Sequence, residues 1–222
     1  MDFPLQNFFS PDEIEAESLR IIDAEVPQPR PFSGVKWQIV RRMIHTTADF
    51  ELLNLVRFHP DAVDSGLKAL RSGATIVTDT EMARQGIPVR RLEPLGATVR
   101  CLMNDERVVA RARAEHITRA TAAVDLAVDM AVNVALDKAR PIIFVVGNAP
   151  TALIRLVEHL DQGMPAPALV VAMPVGFVNA AQSKALIMSR AVPFIAIEGR
   201  KGGSALAASV VNALCIVARE FS

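Results

Sequence analysis

Three segments of this chain repeat one plan. PIIFVVGNAPTAL (residues 141–153), ALVVAMPVGFVNAA (168–181) and PFIAIEGRKGGSALAASVVNAL (193–214) each run from an apolar stretch, through a turn, into the start of a helix. The apolar stretches are short and nearly continuous rather than alternating. That is the pattern of strands buried on both faces, and such strands belong to parallel sheets covered by helices. Two shorter runs, ATIVTD (74–79) and TVRCLM (98–103), extend the set upstream. The expected fold class is therefore α/β, with a mostly parallel sheet between helical layers.

The segments between these strands read as helices. Ser10-Pro11-Asp12-Glu13 is a capping box with proline at the first helical position, and the helix behind it puts Ile14, Ser18, Ile21 and Ile22 on one stripe. Residues 26–32 carry three prolines and read as a linker. Ser33 caps a second helix bearing Trp37, Val40, Met43 and Ile44, which runs out near HTTADF (45–50). Residues 61–72 form a third helix stopped by Gly73, and residues 105–137 read as helix with one break. One domain over residues 1–222 is expected, with an N-terminal helix and proline-rich linker over about 1–33.

Composition excludes several functions. Lys+Arg and Asp+Glu are both 24, so formal net charge is zero and phosphate neutralisation of nucleic acid is disfavoured. No apolar run reaches the roughly 18 residues of a membrane span, and the first residues do not read as a signal peptide. The expected location is the cytoplasm. Neither Cys101 nor Cys215 belongs to a CxxC pair, and no HExxH, DxDxDG or close Cys/His cluster appears, so no metal is expected. A GxSxG nucleophile elbow, a P-loop and a GxGxxG fingerprint are also missing.

The chemistry should lie where the strands end. Thr78-Asp79, Gly147 to Thr151, Pro174 to Asn179 and Glu198 to Ser204 would share one edge of a parallel sheet. Ligands of open α/β sheets bind beyond that edge. Glycines allow close backbone approach, and helix starts offer free N–H groups. Gly199-Arg200-Lys201-Gly202-Gly203-Ser204 reads either as an anion site or as a solvated surface loop with a capping serine. His45 stands in the most polar surroundings of the four histidines. It is a candidate proton donor near neutrality, or a packed or capping histidine. Arg119 is a solvated charge or a carboxylate clamp. Ser18 is a core hydroxyl or a ligand contact, and Phe177 faces either core or ligand.

GNAPTAL, MPVGFVNAAQSK and GRKGGSA, in that order and with IHTTADF upstream, resemble the precorrin-8X and cobalt-precorrin-8 methylmutases over nearly the whole chain. The resemblance implies a three-layer α/β/α sandwich that forms homodimers. It implies an isomerase of cobalamin biosynthesis that moves a methyl group from C11 to C12 of a corrinoid by a 1,5-sigmatropic shift, with no external cofactor. By position, His45 matches the family histidine that donates to a ring nitrogen, and Ser18 and Arg119 match residues near the substrate. The implied substrate-binding set is Ser18, Thr46, Thr78, Arg119, Gly147-Asn148-Ala149, Pro174-Val175-Gly176-Phe177-Val178-Asn179, Lys184 and Arg200-Lys201-Gly202-Gly203-Ser204. Gln182 stands where the family has Glu, and Asn179 where it often has Gly. Two other readings stand beside this one: a tetrapyrrole carrier without turnover, and an enzyme cradling a phosphorylated ligand at residues 199–204.

Overall fold

The computed structural model describes residues 10–134 and 140–220. Its centre is a six-stranded sheet in the order β1-β6-β5-β4-β2-β3. The strands are β1 (Val56–Phe58), β2 (Thr75–Thr78), β3 (Thr98–Cys101), β4 (Ile142–Val146), β5 (Leu169–Ala172) and β6 (Phe194–Ile197). Five run parallel, and β1 lies antiparallel on the edge, with Val56 opposite Ile197.

The strands sort side chains by alternation. Ile143, Val145, Leu169, Val171, Ile195 and Ile197 point to one face and join the larger core. Phe144, Val146, Val170, Ala172, Phe194 and Ala196 point to the other. The first face is covered by α1 (Pro11–Glu25), α2 (Gly34–Thr47), α4 (Ala62–Arg71) and α11 (Ser204–Glu220). The second is covered by α7 (Glu106–Ala114), α8 (Arg119–Val134), α9 (Pro150–Asp161) and α10 (Ala180–Met188). Both faces of β4, β5 and β6 are therefore dry, which is why these strands show no polar alternation. Each fully buried Ile, Leu or Val contributes about 1.5–3 kcal/mol of transfer free energy. The three-layer α/β/α sandwich expected from the sequence is the fold observed.

Local expectations hold with trimmed ends. The Ser10–Glu13 capping box is formed from both sides, with Ser10 Oγ accepting from the Glu13 amide and the Ser10 amide donating to Glu13 Oε2. Ser33 sits at the start of α2, but its side chain makes no capping bond. The long helix is broken where His116 takes a positive φ of 54°, and its expected residues 135–137 lie outside the described residues. Strand β1 and the short helices α3 (Leu52–Leu55), α5 (Glu81–Gln85) and α6 (Val89–Leu92) have no counterpart in the sequence reading. Three residues of strand carry too little pattern to be recognised; pairing with β6 creates β1.

Candidate functional site

All four predicted turns emerge at the carboxyl ends of β2, β4, β5 and β6 and so share one edge of the sheet. They differ in what they leave free. The turn after β4 is already occupied. The Asp79 carboxylate, 6% exposed at the end of β2, accepts the amides of Gly147 at 2.9 Å and of Asn148 and Ala149 at 2.7 Å each. Burial pushes this carboxyl above its ordinary range, against the pull of the three amides. The chain's own anion thus fills the nest that the sequence reading offered to a ligand, leaving the exposed Asn148 side chain as that turn's outward polar group. Thr78 is likewise spent internally, donating to the carbonyls of Thr80 or Arg100.

The turns after β5 and β6 are laced together. Gly176 donates its amide to the Arg200 carbonyl at 3.1 Å, and Gly203 to the Met173 carbonyl at 2.9 Å. Gly202 lies so close that an added Cβ would stand 2.2 Å from the Met173 carbonyl oxygen. Gly147 is as confined, with Ser204 Cα 2.6 Å from where a Cβ would be. These two positions therefore require glycine for backbone contact. Ser204 is buried and bonds Thr80 Oγ1 through its hydroxyl at 2.8 Å. Beneath the loop, Lys184 is 0% exposed and donates to the Lys201 carbonyl at 2.7 Å; burial lowers its pKa to about 8.

The outer rim is apolar and cationic. Val175, Phe177 and Val178 are exposed, Phe177 to 83%, while Pro174 is buried. The Arg200 guanidinium lies 5.3 Å from the Phe177 ring centroid, a cation–π distance. Asn179, at φ 61°, precedes α10 in a left-handed conformation that asparagine tolerates well. Arg119 is exposed at the start of α8, 3.4 Å from Asn104 Oδ1. Neither Arg119 nor Arg200 has a carboxylate partner among the described residues. Lys201 differs: its ammonium pairs with Asp49 at 2.6 Å and with Glu51. The two carboxylates raise the Lys201 pKa, and the lysine holds Asp49 below its usual range.

His45 sits half-buried in the last turn of α2. Its Nδ1 lies 2.7 Å from Ser18 Oγ on α1, while Nε2 has no protein hydrogen-bond partner among the described residues. The Ser18 that interrupts the apolar stripe of α1 is thus spoken for by His45. A cleft of about 400 Å³ opens beside the pair, lined by Ile14, Glu17, Ser18, Ile21, Ile22 and Glu25 from α1 and by Ile44, His45, Ala48 and Phe50. Thr46 is exposed next to it and spends its hydroxyl on the Arg42 carbonyl. The structure therefore joins His45 and Ser18 directly. It places Arg119, Asn148, Arg200 and the Phe177 turn at the sheet edge, outside the lining of this cleft. Asp79 was expected at a strand-end turn but not as the partner of the β4 turn, and Asp49 and Glu51 were missed as site-shaping residues, since nothing in the sequence near them indicates partners 68 or 150 residues away.

An open, mostly parallel sheet with its polar turns gathered beyond the strand ends is the architecture of α/β enzymes that act on small molecules. Comparison with known proteins narrows this class. The model of the precorrin-8X methylmutase family matches residues 13–217. The cobalt-precorrin-8 methylmutase of Salmonella typhimurium is 43% identical over 214 residues, 95% of this chain and 97% of that one. The precorrin-8X methylmutase of Pseudomonas aeruginosa is 40% identical over 175 residues, 78% and 80% of the two chains. A crystal structure of the precorrin-8X methylmutase from Thermus thermophilus superposes with a TM-score of 0.84 at 46% identity, covering 95% and 97%. The chain belongs to the precorrin-8X methylmutase family, and is an isomerase of cobalamin biosynthesis.

Proposed function

We propose that this enzyme moves a methyl group from C11 to C12 of precorrin-8X or cobalt-precorrin-8, with His45 donating a proton to a ring nitrogen. One observation carries the reading: Ser18 engages His45 Nδ1 and leaves Nε2 without a protein partner among the described residues, at a cleft lined by apolar side chains together with Glu17 and Glu25. In the imidazolium, Nδ1–H donates to Ser18 Oγ and Nε2–H is the acid that passes a proton to the ring nitrogen; in the neutral ring Ser18 donates to Nδ1 and Nε2–H offers a hydrogen bond only. A proton or strong hydrogen bond on the conjugated ring lowers its electron density and eases migration, and returns to His45 after the shift. The rearrangement makes and breaks bonds within one molecule, so the protein's main task is to hold the macrocycle in a reactive geometry.

The cleft volume of about 400 Å³ is at the lower end of the roughly 300–1,000 Å³ of ligand sites, so a tetrapyrrole bound at His45 overhangs it. The unneutralised Arg119 and Arg200 are suited to the carboxylates on its rim, and Val175 and Phe177 to its apolar face. Thr46, Asn148 and the amides of Val175, Phe177, Val178 and Asn179 are further candidates. Lys184, Thr78, Gly147, Gly202, Gly203 and Ser204 support the site from behind. We further propose a homodimer, since Ile14, Ile21, Phe177 and Val178 are large exposed apolar residues on the site side. Two free cysteines fit a reducing cytoplasm.

The test follows the visible spectrum of each substrate with wild type and His45→Ala. Methyl migration moves the saturated carbon from C11 to C12 and so changes the conjugated path, and product and substrate therefore differ in absorbance. We expect conversion by wild type and a loss of about 10²–10⁴-fold in the variant, the range of general-acid contributions. Full activity in His45→Ala would remove the histidine from the chemistry. Stoichiometric binding of substrate without turnover by wild type would favour a carrier.

A further inference from the structure

We infer that Lys201 is a positioning residue, a strut whose pairing with Asp49 and Glu51 holds the wall of the His45 cleft in place. The inference rests on the methylmutase reading for its kinetic consequence, though not for its geometry.

The strut is anchored at its base. The Lys201 carbonyl accepts from the buried Lys184 ammonium at 2.7 Å, and the next residue, Gly202, is pressed against the end of β5. Its neighbours are stitched to the same place through the Gly203 amide on the Met173 carbonyl and the Gly176 amide on the Arg200 carbonyl. The backbone of Lys201 therefore belongs to the rigid sheet edge.

The far end reaches the corner that follows His45. Lys201 Nζ lies 2.6 Å from Asp49 Oδ2 and also pairs with Glu51. Asp49 turns that corner itself, its Oδ1 accepting the Glu51 amide at 2.9 Å. Just before it, Ala48 takes a left-handed conformation, φ 52° and ψ 34°, without the side-chain hydrogen bonding that lets asparagine adopt it cheaply. A corner built on a left-handed alanine needs holding from outside. Ala48 and Phe50 both line the cleft, three and five residues beyond His45. Lys201 thus links the sheet edge to the cleft wall across 152 residues of sequence.

Charge assigns the same role. Two carboxylates surround the one ammonium, so Lys201 offers no net positive charge to an anionic substrate, whereas Arg119 and Arg200 do. Exposed ion pairs contribute little to global stability, so the strut acts on local geometry.

The deciding experiment is Asp49→Asn/Glu51→Gln, which keeps Lys201 and the Asp49 turn oxygen but removes both negative partners. Two readouts are taken: deuterium uptake over residues 46–52, and turnover of whichever precorrin wild type converts. A strut predicts faster uptake and a kcat lowered about tenfold, with KM changed by less than about threefold. In the otherwise wild-type chain, Lys201→Arg should keep both readouts near wild type, since the longer fork still reaches the two carboxylates. A substrate-binding lysine predicts the opposite: once freed of its partners, it lowers KM and leaves kcat intact. Either that result or unchanged uptake overturns the inference. If wild type converts neither substrate, the methylmutase reading fails, and uptake alone decides the strut. An unfolding midpoint identifies a misfolded double variant. Lys201→Met, which removes the ammonium and keeps the Asp49 turn, then carries the same comparison, with a raised KM and intact kcat marking a substrate-binding lysine instead.

Discussion

Replacing Asp79 by alanine tests the reading of the sheet edge most severely. In the structure this carboxylate accepts three consecutive amides, from Gly147, Asn148 and Ala149, at 2.7–2.9 Å. Hydrogen bonds to a charged acceptor contribute about 1.5–3 kcal/mol each, and an unsatisfied buried amide costs about 1–3 kcal/mol. The three are not independent, and the amides nearest the exposed Asn148 can reach water, so simple addition overshoots. We expect Asp79→Ala to lose about 3–5 kcal/mol of unfolding free energy, as when one partner of a buried charged network is removed. Asp79→Asn should lose about 2 kcal/mol, because one amide oxygen still accepts while its NH2 is turned toward an N–H donor. Urea denaturation at neutral pH measures both, with equal slopes for wild type and variants marking a change of stability alone. A loss below about 1 kcal/mol for Asp79→Ala would show that the turn finds other partners, and the occupied nest would not be what shapes this edge.

The buried lysine and the crowded glycine give two further tests. Burial lowers Lys184 from 10.5 to about 8, so the fold favours its neutral form. Its contribution is present above the unfolded value and lost as pH falls through the folded one, so wild type should gain stability between pH 8 and 10.5 relative to Lys184→Met. The expected gain is about 2 kcal/mol after allowing for screening, and parallel denaturation curves at pH 7.5 and 10.5 would refute it by showing a constant difference. Gly202→Ala would put a Cβ 2.2 Å from the Met173 carbonyl oxygen, and backbone cannot yield as a side chain can. A loss of at least about 2 kcal/mol and weaker substrate binding are expected from calorimetry and titration. A variant as stable as wild type would mean that the two loops are free to separate.

The strands β4, β5 and β6 could be read from sequence because each is buried on both faces and so is apolar at every position. Their turns followed, since a parallel sheet must place them on one edge. His45 stood out by the polar residues beside it and by imidazole chemistry, and the family resemblance added its role toward a ring nitrogen. What the sequence could not show was which polar groups are already engaged. The amides after β4 are ordinary in sequence, and only the approach of β2 brings Asp79 onto them. Lys201 carries the same charge as Arg200 beside it, yet one is neutralised by Asp49 and Glu51 while the other lies over Phe177 with no carboxylate partner among the described residues.

The division has a physical cause. Burial and backbone geometry act over a few residues, so periodicity, glycines and caps record them locally in the sequence. By itself the sequence determined the α/β sandwich, the edge where its turns gather and the residue types found there. Hydrogen bonds and ion pairs depend on distances between groups far apart in the chain, and those distances exist only once the sheet has been assembled. Tertiary structure therefore decided the Ser18–His45 pair, the nest filled by Asp79 and the reach of Lys201 to the cleft wall.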